Sequence, residues 1–237
     1  MIDTAPALAY AKLRNEVLTL ATARDTIPVA PDGRTRKLRR GPLTREQILD
    51  SSLKLFSDKG FARTSVRDIA QAAGITDAAI YYHFPSKRDL FEALIEERGF
   101  TAALEGLERA EVTIGPEEAI PVIATNALEM MYANRDLMKL LMVEAMAEDP
   151  VAAEEYRMLV ERWEKAEARI LRIYAAQGLL RTTEIDELAK QLVVTVIGAF
   201  ADYLMSPAAA TSNEATPPPE LMNHVRVAMH HIVQGIT

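Results

Sequence analysis

The stretch Thr64-Ser-Val-Arg-Asp-Ile-Ala-Gln-Ala-Ala-Gly-Ile-Thr-Asp-Ala-Ala-Ile-Tyr-Tyr-His-Phe-Pro-Ser-Lys87 decides the fold. It reads as two short helices and the start of a third. Thr64 or Ser65 caps a helix over Val66 to Ala73, with Ile69 and Ala70 inward. Gly74 ends it, because glycine accepts the positive φ of a tight turn that β-branched residues resist. Thr76 caps the next helix, Asp77 to Phe84, and Pro85 stops it. Ser86 opens a further helix that carries Leu90, Phe91, Leu94 and Ile95. Upstream, Ile48, Ser52, Leu55 and Phe56 recur at three- and four-residue spacing, the signature of one helical face. Thr44 and Gln47 stand at the spacing of a capping box there, and Gly60 follows the last turn. Two short helices joined by Ala73-Gly74-Ile75-Thr76 and backed by that face make a helix-turn-helix, whose second helix enters the major groove of DNA.

The net charge of −7 over 237 residues argues at first against a polyanionic partner. The distribution reverses that impression. Residues 1–91 carry fifteen Lys/Arg against ten Asp/Glu, and the remainder twelve against twenty-four. Such asymmetry suits one part facing nucleic acid and another with a separate task. Hydrophobic residues at 49% and charged residues at 26% are the composition of a globular chain. The most apolar run, Leu192 to Phe200, is about half the ~20 residues of a membrane span. The N-terminus has no signal pattern. There is no cysteine, which excludes disulfides, thiolate metal sites and thiol nucleophiles. A cytoplasmic protein without membrane contact is the expectation.

Ahead of the motif, residues 7–23 pattern as a short helix, and Pro28, Pro31 and Gly33 interrupt any regular structure after it. Arg34-Thr-Arg-Lys-Leu-Arg-Arg40 then places five cations in seven residues. Arg36, Lys37, Arg39 and Arg40 read either as an arm along the phosphate backbone or minor groove, or as a solvated tail. Beyond Glu111 the chain reads as long helices, punctuated by Gly115-Pro116, Pro121, Pro150 and Gly178. Thr183 is expected to cap a helix to Met205, residues 206–219 to form a loop, and Leu221 to Ile236 the last helix. The expected organisation is an extension over 1–43, a helix-turn-helix domain over 44–91, and a helical domain over 92–237. The fold class is all-α, a three-helix helix-turn-helix domain joined to a helical ligand-binding and dimerisation domain.

The segments Ile48 to Phe56, Gly60-Phe61, Thr64 to Ala70, Ala73 to Thr76 and Ile80 to Lys87 together closely resemble the TetR/AcrR family of bacterial transcriptional regulators. The resemblance covers about fifty residues; the remainder is similar only in being helical and of suitable length. It implies a DNA-binding regulator and not an enzyme, more often a repressor than an activator. It also implies that Thr64, Thr76, Tyr81, Tyr82, His83 and Lys87 touch DNA, mostly at phosphates. Hydroxyls at helix starts and a lysine suit phosphate oxygens, while Tyr82 and Ala78 or Ala79 are placed for base edges or thymine methyls. Other readings stand beside these: Tyr81 as a packing residue, the threonines as plain caps, His83 as structural. Asp77 departs from the resembled pattern, which often has Lys or Arg there. It either accepts from a cytosine amino group or serves as a second cap facing away from DNA.

In the helical half, Ile185, Leu188, Leu192, Val193, Val196, Ile197, Phe200, Tyr203 and Leu204 form a stripe too wide for one partner. The last helix adds Leu221, Val225, Met229, Ile232 and Val233, and Gly198 and Ala199 are small enough to let backbones come close; Leu192, Val196, Phe200, Tyr203, Val225, Met229 and Ile232 are the candidate interface. The resemblance implies a homodimer through a four-helix bundle of these helices, placing two recognition helices on a palindromic operator; a wholly internal core is the rival. Met130, Met131, Met138, Met142, Met146 and Met158 concentrate between Thr125 and Trp163. Methionine adapts to varied shapes, so Met130, Leu137, Leu141, Met142, Met146 and Trp163 are candidates to line a pocket for a small hydrophobic effector. The alternative is ordinary core. Tyr132 and Tyr156 are candidate aromatic walls, and Arg135, Glu144 or Arg169 a polar anchor. No cofactor is implied. An enzyme would need a nucleophile, metal cluster or phosphate loop, and none is legible. A DNA-binding protein without a sensor is the remaining rival, favoured by a solid helical half.

Overall fold

Helix α1 (Arg40–Lys59) starts five residues ahead of the expected Arg45. Thr44 therefore lies inside the helix instead of capping it. Gly41-Pro42 falls in the first turn, where a proline's missing N–H has no intrahelical partner to lose. The computed structural model describes residues 40–109, 113–211 and 216–237. The expected helix over 7–23 and the basic residues Arg36, Lys37 and Arg39 lie outside them, and Arg40 is the first residue of α1. Ile48, Leu49 and Phe56 make the buried face of α1, with Leu55 half-buried beside them. Ser52 shares that face, and its hydroxyl donates to the Ile48 carbonyl at 2.6 Å.

The remaining helices are α2 (Val66–Ala73), α3 (Asp77–His83), α4 (Lys87–Arg98), α5 (Thr101–Arg109), α6 (Pro116–Ala133), α7 (Arg135–Met146), α8 (Pro150–Ala176), α9 (Ile185–Met205), α10 (Pro207–Thr211) and α11 (Pro219–Ile236). No strand occurs among the described residues. Three boundaries differ from expectation. Pro121 sits inside α6, near its N-terminal end, where it removes only one ladder bond. Glu184, not Thr183, precedes α9, and the Thr182 hydroxyl accepts from the Glu184 amide at 3.2 Å. The stretch read as a loop contains α10.

The described residues divide into two compact units, 40–99 with 135–157 and 100–134 with 158–237. The expected boundary at residue 92 therefore falls inside α4, and α7 groups with the first unit. Three contacts explain why. Leu137, Met138, Leu140 and Leu141 give α7 a buried face, and α7 packs on α1. Glu144, 8% exposed, accepts from the Phe61 amide at 2.8 Å. Asp149 pairs with Arg88 of α4 and also caps α8, accepting from the Val151 and Ala152 amides at 3.1 and 3.0 Å. Glu148, at φ +63, makes the sharp turn between α7 and α8.

In the second unit α6 is buried on most of its surface and packs on both α9 and α11, which also pack on each other. The hydroxyls of Tyr132 and Tyr203 meet at 3.3 Å across the α6–α9 contact. Gly178, at φ +73, ends α8 as its spacing predicted, with the Leu179 amide reaching back to the Tyr174 carbonyl at 3.0 Å. Helix α9 is long and apolar enough to cross a membrane by length and composition, with mean hydropathy 1.4 over its most apolar window. The nine-residue run was too short a measure, because the helix continues on both sides. One face, Leu188 to Tyr203, is buried within the unit.

Burial alone would raise the pKa of Asp149, but Arg88 and the first amides of α8 outweigh it and hold the carboxyl below the usual range. The stability it supplies is therefore present above that range and is lost as pH falls through it. Asp149→Ala is expected to lower the unfolding free energy by about 1–2 kcal/mol, chiefly through the lost cap. Urea unfolding should show this deficit near neutral pH and a narrowing gap from the parent protein in acid.

Candidate nucleic-acid interface

The turn between α2 and α3 is built from both sides. Ser65, in extended backbone, accepts from the Asp68 amide at 3.1 Å, and Asp68 returns the bond by accepting from the Ser65 amide at 2.9 Å. The Ser65 hydroxyl and amide together hold the Asp68 carboxyl below its ordinary pKa. Gly74 takes φ +67, so the Ile75 amide turns back to the Ala70 carbonyl at 3.0 Å. Thr76 then caps α3 by accepting from the Ala79 amide at 3.3 Å. Phe84 leaves the helix in extended backbone ahead of Pro85.

Helix α3 rests on the core through Ile80 and is followed by buried Phe84. Its other side is open. Thr76, Asp77 and Ala78 are exposed, Ala79 is half-buried, and Tyr81 and Tyr82 are 53% and 86% exposed. Tyr81 is therefore a surface residue and not a packing one. His83 is half-buried, and its ring stands edge-on to Tyr82 with centroids 5.2 Å apart. The capping of α3 belongs to Thr76, so Asp77 is not needed as a cap. The outward face thus joins a carboxylate, a methyl and two phenols on a seven-residue helix with the hydroxyl of its capping residue, suited to donors and apolar patches on base edges.

Two of the expected DNA contacts point inward instead. Thr64 is 1% exposed, and its hydroxyl donates to the carbonyls of Gly60 and Leu55 at 2.9 and 3.3 Å. It satisfies the orphan carbonyls at the end of α1, which excludes phosphate from the same group. Lys87 donates to the carbonyls of Phe61 and Thr64 at 2.8 and 2.9 Å, with its ammonium 4.3 Å from the centre of the Phe61 ring. It braces the segment before α2 and does not extend to a backbone phosphate. Ser65, not Thr64, is the cap of α2.

The residues expected to line an effector pocket do not gather within one unit. Leu137 and Leu141 are buried in the first, Met142 is half-buried there, and Met146 is 75% exposed at the end of α7. Met130 and Trp163 are buried in the second. Met146 is too exposed to line a pocket within its unit. Glu144 is used by Phe61, and Arg169 donates to the Leu107 carbonyl at 3.3 Å.

The expected dimer stripe is also internal. Leu192, Val196, Phe200, Tyr203, Val225 and Met229 are buried within the protomer, and Ile232 is half-buried. The apolar surface of α6 takes both helices' apolar faces, so those residues are unavailable to a second copy. What α9 and α11 leave outward is a different set: Val194, Met205 and Val227 at 53%, 79% and 37% exposure, with exposed Gly198 and His224. A groove of about 350 Å³ runs there, lined by Gly198, Ala199, Asp202, Tyr203, Ser206, Leu221 and His224. Of this face the sequence made only Gly198 and Ala199 legible, as residues of close approach, because its apolar groups are few and widely spaced beside the dense internal stripe.

Residues 48–94 match the family model for bacterial regulatory proteins, tetR family. The chain is 53% identical over 53 residues to the transcriptional regulator AcrR of Shigella flexneri, covering 22% of this chain and 25% of that one. It is 35% identical over 92 residues to the transcriptional repressor KstR2 of Rhodococcus jostii, covering 38% and 44%. The matched stretch thus spans less than half the length of either relative. Among solved structures, Salmonella enterica GusR superposes with a TM-score of 0.61 at 23% identity, over 84% of this chain and all of that one, which is a likeness of fold. Residues 48–94 thus carry the helix-turn-helix segment that the tetR family of bacterial regulatory proteins shares.

Proposed function

We propose that the chain is a transcriptional repressor that binds a palindromic operator as a homodimer in the cytoplasm and is released by a small, largely apolar effector held in the second unit. One observation carries the DNA-reading role. The outward face of α3, with Tyr82 86% exposed between the capped ends of a short helix, has the exposure and chemistry of a major-groove reader. The repressor KstR2 shares this segment at 35% identity, which supports repression as the sign of the response. The first unit is assigned DNA reading, and the second dimerisation and sensing. Arg36, Lys37 and Arg39, just ahead of α1 in sequence, and Arg40, its first residue, are assigned to the DNA backbone or minor groove. Asp77 is assigned to base reading, since Thr76 already caps the helix.

The dimer is assigned to the outer faces of α9 and α11. Gly198 has open space where a side chain would be, and Val194, Met205 and Val227 are apolar groups left in water. Small and apolar residues on neighbouring helices allow close approach of a symmetric copy. Effector binding then shifts a population of dimers toward a spacing of recognition helices that the operator does not fit.

Duplexes selected from random sequence by the full chain are expected to contain a palindrome. Fluorescence anisotropy should show preference over a scrambled duplex, weakening steeply with salt. Tyr82→Ala should cost about tenfold or more in operator affinity, or about 1.4 kcal/mol, with unchanged circular dichroism. Equal, weak binding to both duplexes would remove the DNA-reading assignment.

Val194→Asp is expected to convert the dimer to a monomer in sedimentation velocity at micromolar concentration. Met229→Asp, by contrast, should unfold the second unit, because Met229 is fully buried within the protomer. A dimer that survives Val194→Asp would place the interface elsewhere.

A further inference from the structure

The interior of the second unit contains a carboxyl oxygen with no hydrogen-bond partner. Glu167 lies on α8 along a stripe in which Leu159, Trp163, Ala166, Ile170, Leu171 and Tyr174 are all buried. It is itself 3% exposed, and its Oε2 has no hydrogen-bond partner. A second polar side chain in the same unit shares that condition. Asn126, in the buried stripe of α6, is also 3% exposed, and its Nδ2 donates to nothing.

A carboxyl at such depth is either ionised, at the cost of a desolvated charge, or protonated with a hydroxyl that donates to nothing. Burial pushes its pKa up to about 7. The neighbouring polar groups do not relieve it. Arg169 donates to the Leu107 carbonyl of α5, and the Tyr174 hydroxyl donates to the Ile114 carbonyl at 2.7 Å. Glu118 of α6, which bears on Tyr174, is a further anion. A leucine in this stripe would carry no such penalty. The carboxyl is best accounted for by a partner from outside the chain.

We propose that Glu167 anchors an amine: the second unit takes a small ligand with a protonated nitrogen on an apolar skeleton, whose N–H donates to Glu167 Oε2. This rests on the reading that the second unit binds a small effector, and adds its chemical class. A cationic donor on a carboxylate in a dry interior is the strong form of a hydrogen bond. The buried aromatic and aliphatic side chains of the stripe suit the skeleton.

Trp163, the only tryptophan, lies one helical turn before Glu167 and is 4% exposed, so its fluorescence reports on this place. The full chain would be titrated with decylamine, 1-decanol and decanoate, which share a tail and differ in head group. At about pH 8, decylammonium is expected to shift Trp163 emission and bind about tenfold or more tightly than decanol, with decanoate weakest. Glu167→Gln should remove that advantage and leave decanol binding unchanged. The pH dependence needs no variant: the cation binds the ionised carboxylate, so amine affinity should fall about tenfold per unit as pH drops below 7. Equal affinity for amine and alcohol, or no pH dependence, would overturn the amine while leaving an apolar effector in place. Failure of all three amphiphiles to bind would take down the effector reading as well.

Discussion

The backbone of Phe61 is held on both sides by charged side chains, its N–H by Glu144 and its carbonyl by Lys87. Its ring fills the space between Phe56 and Phe91, with centroids 5.4 and 4.8 Å away. This residue follows directly on Gly60, whose left-handed backbone ends α1. Phe61 therefore joins α1, α4 and α7 at one point, and α2 begins from the segment that Lys87 braces. Hydrogen bonds to charged groups contribute about 1.5–3 kcal/mol each, and removing one partner strands the other. Neither Glu144 nor Lys87 is then free for a ligand or a phosphate. The helix-turn-helix owes its placement to residues far outside it in sequence.

The second unit follows a different constraint. Helix α6 is apolar on so much of its circumference that it absorbs the inner faces of both α9 and α11. Only their sparse outer faces remain for a partner. Against that background a buried carboxyl stands out, because every neighbour along its helical stripe obeys the apolar rule. In the first unit Glu144 and Asp149 are tied to backbone amides and to Arg88, while in the second Glu167 keeps an oxygen without a partner.

Helices α2, α3 and α4 were legible because their ends are written locally. A serine or threonine, a glycine at positive φ and a proline each act within one turn, and all stand where the turns occur. The TetR-type segment followed from the same residues. Orientation was less accessible. Thr64 has the right type for a phosphate contact, but its direction is set by the carbonyls at the end of α1. The wide stripe of α9 announced two partners without saying that α6 would be one of them. The place of α7 depends on Glu144 meeting Phe61 across 83 residues, a pairing that no periodicity encodes. Glu167 was visible in principle, as the one acid at a core position of an i, i+3, i+4 pattern. Acids elsewhere on that helix obscured it.

The reading helix has a thermodynamic side. Seven residues capped by Thr76, stopped at Phe84 and seated through Ile80 have little backbone freedom left to lose. The tyrosines they carry have two side-chain torsions each, so docking them freezes few degrees of freedom. The entropy of ordering this surface was met when the domain folded. Under the proposed DNA-reading role, an encounter with the right sequence needs little rearrangement of the protein's backbone, and discrimination between sequences falls mainly on how long each complex survives.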